Sequence, residues 1–246
     1  MFTYQIIIEY DGTDFVGWQK QKNGSSVQQT IEKILTKILK EKTILYGSGR
    51  TDSGVHATGQ SAHFISKFKI NNKFTFLNSM NFFLSKKKIS ILNINKKKQN
   101  FHARHGAKTR EYKYVIISRA APLSLELNKA WHIKFILNVK LMKKGAKLLK
   151  GTKDFSTFRS SSCNAKSPIK TLEESKVKKK GNKIILMFRS KSFLQQQVRS
   201  MVGCLKFVGE KRWTLKKFKE IINSKKKTNC APPAPACGLY LKSVKY

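Results

Sequence analysis

Strand-like and helix-like runs are interleaved along this chain without strict alternation, and that irregular order points to an α+β fold over a doubly wound parallel sheet. Thr3 to Tyr10 is dense in β-branched and aromatic residues and stops at Asp11-Gly12, so it reads as a strand ending in a turn. Ser26 then offers a helix N-cap, with Val27, Ile31, Ile34, Leu35, Ile38 and Leu39 on one face at the 3.6 period. A Gly/Ser-rich loop from Gly47 to Gln60 precedes a strand over 61–66, a helix over 74–84 and a strand over 89–94.

The order repeats loosely in the second half. A strand is expected over 111–118, a helix over 139–149 with Leu141, Met142, Ala146 and Leu149 inward, and a hairpin of 169–177 with 183–188 across Lys180-Gly181-Asn182. Helices over 193–208 and 215–222 and a last strand over 238–246 complete the pattern. The expected architecture is two ferredoxin-like halves, 1–105 and 106–246, with antiparallel sheets flanking a basic active-site cleft.

The chain has 246 residues, 40% of them apolar and 16 of them Phe, which suffices for a packed core. Its 51 Lys+Arg outnumber 13 Asp+Glu, and the resulting net charge of +38 calls for a polyanionic partner, most simply a nucleic acid. Most of that excess is lysine accompanied by Asn and Ile, the mark of compositional drift, so much of it is solvated surface. The runs Lys86–Lys88, Lys96–Lys98, Lys178–Lys180 and Lys225–Lys227 are expected in loops. The few arginines say more, because a planar fork suits phosphates and base edges; Arg50, Arg104, Arg110, Arg159 and Arg199 all lie in motif-like segments.

No run approaches the ~18 consecutive apolar residues of a membrane span, and the opening strand is not a signal peptide, so a cytoplasmic protein without membrane attachment is expected. Four cysteines without a CxxC pair read as free thiols. His102 and His105, with His56 and His63, imitate a metal cluster but lack acidic or thiolate neighbours in sequence, and no metal is expected.

Aspartate is scarce: Asp11, Asp14, Asp52 and Asp154 are all there are. Asp52 stands in Gly49-Arg50-Thr51-Asp52-Ser53-Gly54-Val55-His56, where glycines let the backbone bend and approach a ligand, with a cation two residues away. The ordinary role for such a residue is an Asx-turn with its own backbone. The surroundings argue for more. GRTDSGVHATGQ resembles the catalytic loop of the bacterial tRNA pseudouridine synthase A family, and YDGTDFVGWQ (10–19) resembles that family's N-terminal motif. FHARHGAKTREYKY (101–114), GTKDFSTFR (151–159), KSPIKT (166–171), FLQQQVRSMVGCL (193–205) and APPAPACGLYL (231–241) resemble further family blocks, in order, over essentially the whole chain.

The resemblance implies roles. Asp52 matches the catalytic aspartate, Arg50 an arginine that helps open the RNA, Tyr112 the tyrosine that stacks on the target base, Arg199 the arginine paired with the catalytic carboxylate, and Leu239 an apolar residue of the pocket. It also implies tRNA as the partner, uridines 38, 39 and 40 of the anticodon stem-loop as targets, and a homodimer. Ser53 replaces the usual Ala, and Gln195-Gln196-Gln197 departs from the usual residues before Val-Arg, which puts the support of Arg199 in question.

The chemistry agrees. Turning uridine into pseudouridine breaks the C1'–N1 bond, rotates the base and bonds C5 to C1', with no net change in atoms and hence no cofactor. Glycoside hydrolysis normally takes two carboxylates, whereas one ionised Asp can attack C1', add to the base or abstract a sugar proton. A target within a stem must be flipped out, and stacking on Tyr112 would offset ~1 to 3 kcal/mol of the cost. Two other readings use the same residues: a non-catalytic basic RNA-binding protein with a phosphate-holding loop, and a pseudouridine synthase for another RNA. The carboxylate argues against the first, since it repels phosphate.

Overall fold

The first strand forms where its β-branched residues allow alternation: in β1 (Phe2–Tyr10), Tyr4, Ile6, Ile8 and Tyr10 are all buried. The computed structural model describes residues 1–246, and its packing divides them into two units, Met1–Lys108 with Tyr240–Tyr246, and Thr109–Leu239. The last seven residues thus cluster with the first unit, whereas the sequence placed 106–246 together.

In the first unit β1 lies between two antiparallel partners, β3 (His56–Ser66) and β4 (Ile89–Lys97), with Ile6 opposite Ala62 on one side and Ile94 on the other. The far side of β3 takes the short β2 (Tyr46–Gly47) near His63 and, in parallel, β10 (Leu239–Lys245), with Tyr240 opposite His56. Two helices complete the unit, α1 (Val27–Leu39) and α2 (Lys73–Leu84). The Ser26 side chain accepts from the Gln29 N–H and caps α1, which buries Val27, Ile31, Leu35 and Leu39, while Ile34 and Ile38 are only partly covered. Burying each of those four side chains contributes about 2 kcal/mol.

The loop expected to run to Gln60 is shorter. His56–Gln60 already belong to β3, because that strand has neighbours on both sides and buries even its small and polar residues: His56, Ala57, Gln60 and Ser61 are each at most 2% exposed.

The second unit is built on β5 (Thr109–Ser118), which pairs in parallel with β6 (Trp131–Ile133) and antiparallel with β9 (Lys183–Ser190). β8 (Ile169–Lys180) joins β9 through the two residues Gly181-Asn182, Gly181 taking φ +57°, and β7 (Gly151–Asp154) pairs with β8. Helix α3 (Val139–Leu148) packs on β8 and on α4 (Gln197–Gly209) and α5 (Leu215–Ser224). Phe155, Phe158, Phe188, Phe218 and Tyr114 are sealed in its core.

Three differences from the sequence reading have local causes. β6 and β7 are too short to show a period. Helix α4 starts at Gln197 instead of residue 193, since Gln196 is left-handed (φ +60°) and the buried Gln197 side chain accepts from the Leu194 N–H just outside the helix. Lys178–Lys180 lie in β8, and Lys96 and Lys97 end β4, where loops were expected: at exposed strand ends lysines continue a strand at little cost.

Candidate active site

Asp52 sits on a loop whose backbone is held from several sides within the first unit. At its root, Ser48 donates its N–H to Ser61 O (2.8 Å) and its hydroxyl to Gln60 Oε1 (2.9 Å), and Gln60 Nε2 donates to Gly49 O (2.8 Å). The 10–18 segment supports the rest. Tyr10 and Thr51 share a hydroxyl hydrogen bond (2.8 Å), the Trp18 N–H donates to Thr51 O (3.1 Å), and Phe15 O accepts from the Ser53 hydroxyl (3.2 Å) and the Gly54 N–H (3.4 Å). The Val55 N–H closes the turn on Asp52 O (3.2 Å).

Two glycines permit this approach. A Cβ on Gly12 would stand 2.0 Å from Val55 O, and one on Gly17, whose φ is +114°, 2.6 Å from Thr51 O. Thr51 and Val55 are buried as a result, at 7% and 1% exposed, and Asp52 between them is half-exposed. Arg50, at the loop's outer edge, is exposed.

The structural aspartate of this region is Asp11. Its Oδ1 accepts from the Thr13 N–H (3.0 Å) and hydroxyl (2.5 Å), an Asx-turn. Burial pushes the Asp11 carboxyl up, but the Thr13 donors, with His56 and Lys88 nearby, outweigh it and hold it below the usual carboxylate range. His56 Nδ1 lies 3.1 Å from Asp11 Oδ1 and 3.0 Å from the Gly12 nitrogen, so the ring is lodged between the turn's side chain and its backbone. The His56 ring stacks on Tyr240 of β10 (4.8 Å between centroids).

His63, His102 and His105 do come together, with centroids 4.8 and 4.4 Å apart, but no three His, Cys, Asp or Glu are grouped to hold a metal ion. Burial chiefly, and the charge of His102, push His63 down to about 4.

The other candidates belong to the second unit. Tyr112, on β5 and 8% exposed, meets Phe193 edge-to-face at 5.1 Å. Arg199, in the first turn of α4, donates from Nε to Ala234 O (2.8 Å), and Ala234 returns its N–H to Arg199 O (3.0 Å). Tyr114 donates its hydroxyl to Pro235 O (2.7 Å), so β5 and α4 are tied to one short stretch that leads to the buried Leu239. Gly238 lets this stretch pass the Tyr114 ring, from which a Cβ would be 2.6 Å. Gln197, part of the Gln195–Gln197 departure, props the turn before α4 through Leu194. Sequence reasoning did not find the backbone clamp of Arg199 by Ala234, which no side-chain pattern signals; the prolines around it were the one available clue.

Residues 6–105 and 146–246 match the model of a family described as tRNA pseudouridine synthase, which sets the class: an isomerase of RNA uridines. Among curated proteins the chain is 58% identical to tRNA pseudouridine synthase A of Pelagibacter ubique (strain HTCC1062), over 100% of both chains. It is 41% identical to that of Paramagnetospirillum magneticum, over 99% of this chain and 94% of the relative, and 42% identical to that of Sinorhizobium medicae, over 99% of each. The chain belongs to the tRNA pseudouridine synthase A family.

Proposed function

We propose that this protein isomerises uridine to pseudouridine at positions 38, 39 and 40 in the anticodon stem-loop of tRNA, with Asp52 beginning the reaction. The observation that carries the reading is the half-exposed Asp52 held between buried Thr51 and Val55 on a loop hydrogen-bonded to the 10–18 segment. A carboxylate on so constrained a backbone is presented to substrate at little reorganisation cost. The C1'–N1 bond breaks, the uracil turns, C5 bonds to C1', and the proton on C5 is lost while N1 regains one, so the reaction needs no cofactor and no metal.

The remaining residues take substrate-binding roles in this proposal. Tyr112 stacks on the flipped base and Leu239 lines its pocket. Arg50 helps open the stem, and Arg199 pairs with the carboxylate. Ferredoxin-like halves flanking a basic active-site cleft are the proposed architecture, supported in the first unit by chain order β1-α1-β2-β3-α2-β4 and lateral order β4-β1-β3-β2. The division 1–105 and 106–246 is retained for those halves. The protein is proposed to act in the cytoplasm as a homodimer; no helix is long and apolar enough to cross a membrane.

Incubation with unmodified tRNA transcripts and a chelator, followed by carbodiimide-stopped primer extension, tests the reading. Stops in the anticodon arm are expected. Absence of product on every tRNA, or product only on another RNA, overturns it. Affinity for tRNA is expected to fall with salt, with a log–log slope of ~0.9 per phosphate contacted on duplex, and light scattering is expected to give a dimer mass.

A further inference from the structure

Two thiols of the second unit stand face to face. Cys204 is fully buried on α4, Cys230 is half-buried beyond the end of α5, and their Sγ atoms are 3.5 Å apart. We propose that Cys204 and Cys230 are a reversible disulfide site, and that the bond staples the Ala231–Pro235 stretch to α4.

The geometry favours it. A disulfide needs its sulfurs at about 2.05 Å, so the pair must close by roughly 1.5 Å. Their backbones are already held side by side. Gly203, next to Cys204, has no side chain where a Cβ would stand 2.1 Å from Pro232 O, and this lets the proline-rich stretch lie against the helix. One turn earlier, Ala234 and Arg199 exchange hydrogen bonds. The bond would therefore join two elements already packed together and leave the fold unchanged.

The two sulfurs are also differentiated as an attacking and a resolving thiol would be. Cys230 is the more accessible. The hydrogen bond it shares with Cys204, and then the charge of Lys227, hold its thiol below the usual range against the opposing effect of burial. Lys227 is kept in place by donating to the Ser200 hydroxyl (2.9 Å). Contact with the Cys230 sulfur and then burial push the Cys204 thiol up, so it stays protonated until its partner has reacted.

The oxidant is a low-molecular-weight disulfide such as oxidised glutathione. The Cys230 thiolate attacks one of its sulfurs, the reagent's S–S bond breaks, and one glutathione thiolate leaves. Cys204 then gives its proton to solvent base and attacks Cys230 Sγ, expelling the second glutathione thiolate. Two protein thiols are oxidised and one glutathione disulfide is reduced to two thiols. In a reducing compartment such a bond is transient and serves redox sensing.

The test incubates the full-length protein with oxidised glutathione, quenches with iodoacetamide in denaturant, and counts alkyl groups by mass. The reduced protein should take up four, one for each free cysteine. The oxidised protein should take up two and yield a Cys204–Cys230 linked peptide that dithiothreitol removes. Because the bond closes a loop of about 25 residues, Tm should rise by a few degrees on oxidation. Cys230→Ser, a change at the half-buried position, keeps the fold testable and should show no such shift. Four alkyl groups after oxidation, a persistent glutathione adduct, a bond to another cysteine or another molecule, or an unshifted Tm overturns the proposal.

Discussion

The Asp11 turn and the Asp52 loop read alike in sequence, each an aspartate beside glycine and threonine, and they differ in what closes the turn. At Asp11 the carboxylate itself closes it, accepting both Thr13 donors. At Asp52 the main chain does so, through the Val55 N–H on Asp52 O, while buried neighbours on both sides fix the backbone. An aspartate whose carboxylate makes the turn is committed to structure. One whose main-chain carbonyl makes it does not need its carboxylate to close the turn.

The largest effect should come from testing that contrast directly. Asp52→Asn removes the charge and preserves the turn, so single-turnover pseudouridine formation should fall at least about a thousandfold, roughly 4 kcal/mol of transition-state stabilisation. Filter binding of the same tRNA should stay within a few fold. Asp11→Asn keeps an acceptor for the Thr13 N–H, and its rate should stay within about threefold of wild type, because Asn and Asp make such turns with similar preference. Equal losses in the two variants would erase the distinction.

Next in size is the support that the first motif gives the second. Gly12→Ala places a methyl group 2.0 Å from Val55 O, where only backbone can yield. A destabilisation of about 2–4 kcal/mol is expected in urea unfolding, with lost turnover in the folded fraction. Tyr10→Phe should cost less, about 1 kcal/mol, since it deletes only the buried hydroxyl bond to Thr51. If both variants are as stable as wild type, the 10–18 segment does not brace the loop.

Much of this is legible in the sequence itself. The periodic face of α1 and its Ser26 cap, the hairpin turn at Gly181-Asn182, and the isolation of Asp52 in a glycine-bounded loop all follow from local spacing. What escaped notice depends on long-range contact. His56–Gln60 looked like loop because small and polar residues suit one, yet pairing on both sides made them a buried strand. The start of α4 moved because a single side chain, Gln197, satisfies an N–H three residues earlier. The bracing of Thr51 and Val55 by residues some forty positions upstream was equally hidden, since a glycine in sequence does not announce which carbonyl it faces.

The smallest effect concerns acid. Burial pushes the Asp11 carboxyl up in the folded protein, but the Thr13 donors hold it below the usual carboxylate range. A depressed folded-state pKa contributes stability that is fully present above the unfolded value and is lost as pH falls through the folded one. Wild type should therefore exceed Asp11→Asn in unfolding free energy near pH 6, and the gap should narrow as the pH drops below about 4. Taking the difference between the two proteins matters, because groups such as His63, which resists protonation in the fold, lower the stability of both on acidification and cancel. Urea unfolding of the pair from pH 6 down to pH 3 measures that gap. A gap that stays constant, or widens toward low pH, would mean that the charge on Asp11 contributes nothing to its turn and that the two aspartates differ only in exposure.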